Sequence, residues 1–241
     1  INTVNHLLNC KILVRYGVGF DKIDLLALDK KGIKFSNNPG YGPEDVADTT
    51  LALILTLQRH ILEHDIRARN FVDTWQENFI TPTLHSPFAT VGVVGVGRIG
   101  SSVVKRLKAF HYRIIGLDPF VSDQVFSELG IERAHDIDTL VHQIDVLTLH
   151  CPLTEDTRGM INKGILAKAR PGLMFVNTAR GALVDSLDTI EYGLKLRILS
   201  MVGLDVLPIE PPQDHRLIHD WRAQAEWIKG RLIIQPHNAF Y

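Results

Sequence analysis

Cysteine is scarce in this chain: Cys10 and Cys151 are the only two in 241 residues. Two thiols so far apart build no disulfide framework, and they fit a reducing compartment such as the cytoplasm. Long apolar runs are missing as well. The most apolar stretch, Leu51 to Leu57, is far too short to span a bilayer, so no membrane role is expected. Neither sign of charge is in excess, with 26 Lys and Arg against 27 Asp and Glu. That balance gives no footprint for nucleic acid and no basic patch for anionic lipid. There is no internal repeat and no Ser/Gly-rich linker, and a composition 45% hydrophobic and 22% charged excludes a disordered chain. The initiator Met and any signal-like segment are also lacking, and neither Ile1 nor Tyr241 reads as a finished terminus.

What remains is a regular rhythm of short apolar runs and amphipathic stretches. Lys11–Tyr16 and Ile33–Ser36 read as strands, and Pro43 to about Arg69 as one long helix with Glu44 and Asp45 at its positive end. Asn70–Ala89, with Pro82 and Pro87, reads as irregular. Further apolar runs follow at Val91–Val96, Arg113–Leu117, Asp145–His150, Leu173–Asn177, Met201–Asp205 and Leu232–Gln235, most of them separated by helical patterns such as Arg98–Phe110 and Ser122–Leu129. Continuous apolar strands alternating with helices predict an α/β fold with a doubly wound parallel sheet. In such sheets ligands bind beyond the carboxyl ends of the strands, so the residues just after each run are the ones to inspect.

After the run at 91–96 comes Gly95-x-Gly97-x-x-Gly100, between a strand and a helix. Gly95 permits the tight turn, Gly97 lets backbone approach a pyrophosphate, and Gly100 allows close helix–sheet packing. The helix N-terminus offers free N–H groups to phosphate, and Arg98 lies in its first turn. Asp118 ends the next strand, about 20 residues on, where a carboxylate accepts from a ribose 2′-OH and repels a 2′-phosphate. The pattern predicts NAD as cofactor, in preference to its phosphorylated form.

The later strand ends deliver Cys151, Thr178, Ala179, Arg180, Asp205, Glu210 and His237 to the same edge. Taken singly, each reads as a surface or loop residue. Together they suit reversible hydride transfer at a 2-keto or 2-hydroxy acid. A planar guanidinium at Arg180 can bind a substrate carboxylate in two-pronged fashion. An imidazole at His237 can carry the hydroxyl proton, and a carboxylate at Glu210 can favour its charged form and fix its tautomer.

The local words extend over essentially the whole chain: VRYGVGFDKID at 14–24, NNPG at 37–40, VGVGRIG at 94–100, LDP at 117–119, HCPLT at 150–154, NTARG at 177–181, LDVLPIEPP at 204–212 and PHNA at 236–239. In these the chain resembles the D-isomer-specific 2-hydroxyacid dehydrogenases. The resemblance implies a catalytic trio on Arg180, Glu210 and His237, and backbone donors for the substrate carboxylate at Val18 and Gly19, with Arg15 beside them. It implies NAD contacts at Val18, Arg98, Ile99, Asp118, Cys151, Thr157, Thr178, Ala179 and Asp205, besides the three loop glycines. It also implies a homodimer, a cleft between two domains, and further chain before Ile1 and after Tyr241, so that the sequence reads as a fragment. Within the family Arg15, the His150-Cys151 pair and Phe240-Tyr241 are similar to the branch of the C-terminal binding proteins, NAD-sensing corepressors. Lys22 for Asn, Leu196 for a helix-ending Gly, and Phe240 for Trp depart from that pattern.

The expected architecture is a partial flavodoxin-like substrate domain over residues 1–45 and a Rossmann NAD-binding domain over 46–241. The expected activity is NAD-dependent oxidation and reduction of a small 2-keto or D-2-hydroxy acid; the alternative is an NAD(H)-sensing, corepressor-like binding module. Two features fall outside this reading. His60-Ile61-Leu62-Glu63-His64 matches a short zinc-protease pattern but finds no third ligand downstream, so no metal is expected. Residues 213–230, with Trp221 and Trp227, have helical character from Arg216 to Lys229 and read as a surface or dimer-contact insertion.

Overall fold

The computed structural model describes residues 3–70, 75 and 83–241. Two parallel sheets organise it. The smaller pairs β1 (Ile12–Arg15) with β2 (Lys34–Asn37) around the short helix α1 (Leu25–Lys30). Helices α2 (Pro43–Gln58) and α3 (Ile61–Arg69) lead on to β3 (Thr90–Val94), α4 (Arg98–Ala109), β4 (Arg113–Leu117) and α5 (Asp123–Leu129). Then come β5 (Glu132–Ala134), α6 (Ile137–Val141), β6 (Val146–Leu149), α7 (Lys163–Leu166), β7 (Leu173–Asn177), α8 (Leu187–Lys195), β8 (Leu199–Leu204), α9 (Arg216–Arg222) and β9 (Leu232–Ile234).

The larger sheet runs β5-β4-β3-β6-β7-β8-β9, all parallel. Its central strands are apolar on both faces because both faces are covered. Val91, Val93, Val146, Met174 and Val176 point to one side, where α2 and α4 supply Leu53, Ile54, Leu57, Val103 and Leu107. Leu147, Leu149, Leu173 and Phe175 point to the other, against Leu140, Leu166, Ile190, Leu194 and Leu217 from α6 to α9. This period of two within continuous apolar runs is the doubly wound arrangement expected. The strand order reverses between β3 and β6, and at such a switch point the loops beyond the strand ends separate to leave a crevice.

Three details differ from the sequence reading. The helix over 43–69 is two: His60 takes φ 52°, in the left-handed region, and breaks it after Gln58. His60 caps the second helix, with the His64 N–H on its carbonyl and the two imidazole rings 6.1 Å apart. The segment 213–230 is no surface insertion. Its helix ends at Arg222, and Leu217, Ile218 and Ile228 are buried in the core, with Trp221 and Trp227 packed against it. At the end of α8 Leu196 stays at φ −82°, and Arg197 takes the left-handed position a glycine often fills. The irregular stretch read over 70–89 lies mostly outside the described residues.

Candidate active site

A cleft of about 560 Å³ opens at the carboxyl ends of β3, β6, β7 and β8, facing the loop after β1. Arg98 and Ile99, which open α4 just after the glycine loop, are part of its lining. Gly95 has φ +89°, and a Cβ there would meet the Cys151 amide at 2.5 Å; one on Gly100 would lie 1.9 Å from the Gly95 carbonyl oxygen. A Cβ on Gly97 would meet nothing within 4 Å, so the space over the start of α4 is open. The loop is thus closed by its own backbone on one side and bare on the other, which fits a phosphate-bearing group lying on the helix N-terminus. Asp118 braces it: Oδ2 accepts from the Val96 N–H at 2.9 Å and Oδ1 from the Phe120 N–H at 2.9 Å. Arg98 reaches out of the loop to the Pro39 carbonyl.

Arg15, Val18, Gly19, Arg98, Ile99, Cys151, Thr178, Ala179, Arg180, Asp205 and His237 all line the cleft. Thr157 does not. Its hydroxyl closes its own turn, donating to the Pro152 carbonyl and accepting from the Thr154 N–H. Burial pushes the Cys151 thiol up to about 11, so it stays protonated and serves as an apolar wall.

At the far end His237 Nδ1 and Glu210 Oε2 are 2.8 Å apart. Glu210 is itself aimed by the Leu207 N–H, which donates to Oε1 at 3.0 Å. His237 takes φ 55°, and its loop is pinned to β8: the His237 N–H donates to the Asp205 carbonyl, and the Asn238 and Ala239 N–H groups donate to the Asp205 carboxylate. Burial raises the Asp205 carboxyl above its ordinary value, against the pull of those two donors. With Nδ1 committed to a carboxylate, the imidazole keeps Nε2 for whatever enters the cleft.

Arg180 stands opposite. Its Nε donates to Asp21 Oδ1 at 2.7 Å and its Nη1 to the Ala179 carbonyl at 2.7 Å. Gly19 is bare because Nη2 occupies the place of its side chain; a Cβ would fall 1.2 Å from it. The Asn37 amide donates to the Val18 carbonyl and fixes the same loop.

Four supports escaped the sequence reading. Asp21 lies inside the GVGFDKID word without a role of its own. Thr50 of α2 shares a hydrogen bond with Thr178 at 2.8 Å. Tyr16, Tyr41 and Phe240 stack in a row along the cleft rim. His150 sits in the wall with Nε2 3.0 Å from the Thr148 hydroxyl and Nδ1 buried without a partner. Among the described residues one His/Asp/Glu group has metal-ligand spacing, Asp188, Glu191 and His215. His215 Nδ1 accepts from the Leu217 N–H and its Nε2 lies 3.2 Å from Asp188.

Comparison with known proteins agrees with this geometry. Residues 51–239 match the family model described as D-isomer specific 2-hydroxyacid dehydrogenase, NAD binding domain. A hydroxypyruvate reductase of Thermotoga maritima is 36% identical over 206 residues, 86% of this chain and 65% of that protein. A D-3-phosphoglycerate dehydrogenase of Bacillus subtilis is 32% identical over 215 residues, 89% of this chain and 40% of that protein. The chain thus spans less than two thirds of the length of these curated relatives. Among solved structures, D-lactate dehydrogenase from Aquifex aeolicus, complexed with NAD and lactic acid, superposes with a TM-score of 0.87 at 31% identity, covering 99% of this chain and 72% of that one. A family model that spans most of the chain, over a sheet of the matching topology, leaves one conclusion: the chain belongs to the D-isomer specific 2-hydroxyacid dehydrogenases.

Proposed function

We propose that the protein is an NAD-dependent oxidoreductase that interconverts a small 2-keto acid and its D-2-hydroxy acid. The observation that carries the reading is the pairing of His237 with Glu210 across one cleft from Arg180. Bound NADH supplies the hydride that reduces the keto carbon, and NAD takes it back in the reverse direction. Gly95, Gly97 and Gly100 would seat the pyrophosphate, Arg98 and Ile99 would flank it, and Asp118 would take the ribose hydroxyls. Cys151, Thr178, Ala179 and Asp205 would wall the remaining length, with Val18 opposite; Thr157 would act by shaping its turn.

The protein's own part is orientation and proton transfer. Arg180 and the Val18-Gly19 backbone hold the substrate carboxylate, with Arg15 beside them. In reduction, His237 donates a proton from Nε2 to the carbonyl oxygen as that oxygen gains charge. Glu210 accepts from Nδ1 and holds the ring in place during the transfer. In oxidation the same nitrogen takes the hydroxyl proton.

The smaller sheet supports reading residues 1–45 as part of a substrate domain, with 46–241 as the NAD-binding domain. A homodimer in a reducing cytoplasm fits the family and the two free thiols. The relatives named above are dehydrogenases and reductases, which favours turnover over the corepressor-like reading suggested by Arg15 and His150-Cys151. NADH oxidation with glyoxylate, pyruvate and hydroxypyruvate tests it. The wild-type chain should turn over at least one, and His237→Ala should lose turnover while still binding NADH. Unchanged turnover in that variant would remove His237 from the chemistry. Negligible turnover of every acid, with NADH-dependent capture of a partner, would favour the binding module.

A further inference from the structure

Asp21 has no part in the scheme above, yet it is the side chain most directly bonded to Arg180. The two are 159 positions apart in sequence, and each is about three-quarters buried. Burial works against the Asp21 charge, but the Arg180 hydrogen bond and charge hold its carboxyl below the ordinary value, with Arg15 adding to the pull. At neutral pH the contact is therefore an ion pair.

Its geometry decides where the guanidinium points. Arginine carries five N–H donors in one plane. Asp21 takes Nε–H, and the Ala179 carbonyl takes one hydrogen of Nη1. Three donors remain, two of them on Nη2, which lies over the bare Cα of Gly19 beside the Val18-Gly19 backbone. A free arginine side chain loses rotamer freedom when it binds an anion. Here that freedom is already removed by two tethers, one from the loop after β1 and one from the end of β7. The charges support the same reading. The Asp21–Arg180 pair is neutral by itself, and Arg15, whose Nε is buried without a hydrogen-bond partner, faces Asp21 from β1 and returns a positive sign to the cleft.

We propose that Asp21 is a positioning residue for Arg180: it holds the guanidinium edge-on to the cleft so that its free donors face the site of the substrate carboxylate. This rests on the 2-keto acid reading, and the test separates the two. The intact chain is assayed for NADH oxidation with whichever of glyoxylate, pyruvate or hydroxypyruvate the wild type turns over, and oxamate binding to the NADH-loaded protein is followed by calorimetry. In Asp21→Ala the KM for the keto acid should rise roughly tenfold or more, the scale of losing a hydrogen bond between charged groups, with kcat changed far less. NADH affinity should be unchanged, which shows that the fold and the cofactor site are intact. Asp21→Asn keeps an oxygen for Nε and should recover most of the KM. In an Arg180→Ala background, Asp21→Ala should add nothing. A KM unmoved in Asp21→Ala, a fall in kcat alone, an Asn variant as poor as Ala, or a further loss in the Arg180→Ala background would each overturn the proposal. If the wild type reduces none of these acids, the functional reading fails, and oxamate decides Asp21 by itself: weaker binding in Asp21→Ala supports its role, and equal binding removes it.

Discussion

Acidification from pH 7 to pH 5 should cost the wild-type protein more stability than it costs a His150→Gln variant. His150 follows β6 with its backbone N–H on the Val94 carbonyl, its Nε2 on the Thr148 hydroxyl, and its Nδ1 buried without a partner. Burial drives its pKa down to about 3, so the folded protein keeps it neutral. The unfolded chain protonates the same ring at about 6.5. Below that value the unfolded state binds a proton that the folded state refuses, so stability falls as pH falls. The contribution is whole above about pH 6.5 and is lost progressively down to about pH 3. One proton costs about 1.4 kcal/mol per pH unit, or about 2 kcal/mol by pH 5, a sizeable share of a typical 5–15 kcal/mol. Urea unfolding of the cofactor-free protein at pH 7, 6 and 5 measures it. Every other histidine and carboxylate titrates in both proteins, so the difference between the two pH slopes isolates His150. Gln offers the Thr148 hydroxyl a partner while removing the titration. Equal slopes would refute the argument, because they would mean that the folded protein accepts the proton on His150 as readily as the unfolded chain does.

Two glycines separate function from folding. In Gly19→Ala the new methyl collides with the tip of Arg180, a side chain that can give way by breaking its Asp21 tether; the KM for the keto acid should rise roughly tenfold or more while the thermal midpoint falls far less than in Gly181→Ala, as read by melts and steady-state kinetics. In Gly181→Ala the methyl falls 1.9 Å from the backbone carbonyl of Leu207, which cannot swing; a loss of about 3 kcal/mol or more, or failure to fold, should appear in urea unfolding and soluble yield.

The central strands of the larger sheet were legible because they are short apolar runs with covered faces, and Arg113–Leu117 and Leu173–Asn177 stand where the pattern puts them. The break at His60 was not, because a helical period continues through Arg59-His60-Ile61 with no glycine or proline to mark it, and the left-handed turn is imposed on an ordinary residue. Strand β5 was missed because it is a three-residue edge strand, Glu-Arg-Ala, with one side in solvent. The 213–230 segment misled through its charges: Arg216, His219, Asp220 and Arg222 suggest a surface, while Leu217, Ile218 and Ile228 plug one face of the sheet.

The same distinction runs through the site. That Arg180, Glu210 and His237 come together could be read in the sequence because they arrive shortly after apolar strands, and a parallel sheet brings all such positions to one edge. The groups that aim them obey no such rule. Asp21 meets Arg180 across the cleft, Thr50 meets Thr178 from the neighbouring helix, and Gly19 is defined by an arginine that fills the space above it. Each of these contacts depends on how the β1 loop and α2 pack against the large sheet, which is a property of the assembled fold and leaves no spacing in the chain. Asp205 belongs partly to each class. Its position at the end of β8 was legible, but its carboxylate spends both oxygens on the Asn238 and Ala239 amides. It therefore acts on the proposed chemistry through the loop that carries His237 as well as through the cleft wall: a residue read from the sequence as a cofactor contact also pins the backbone that holds the imidazole at the cleft.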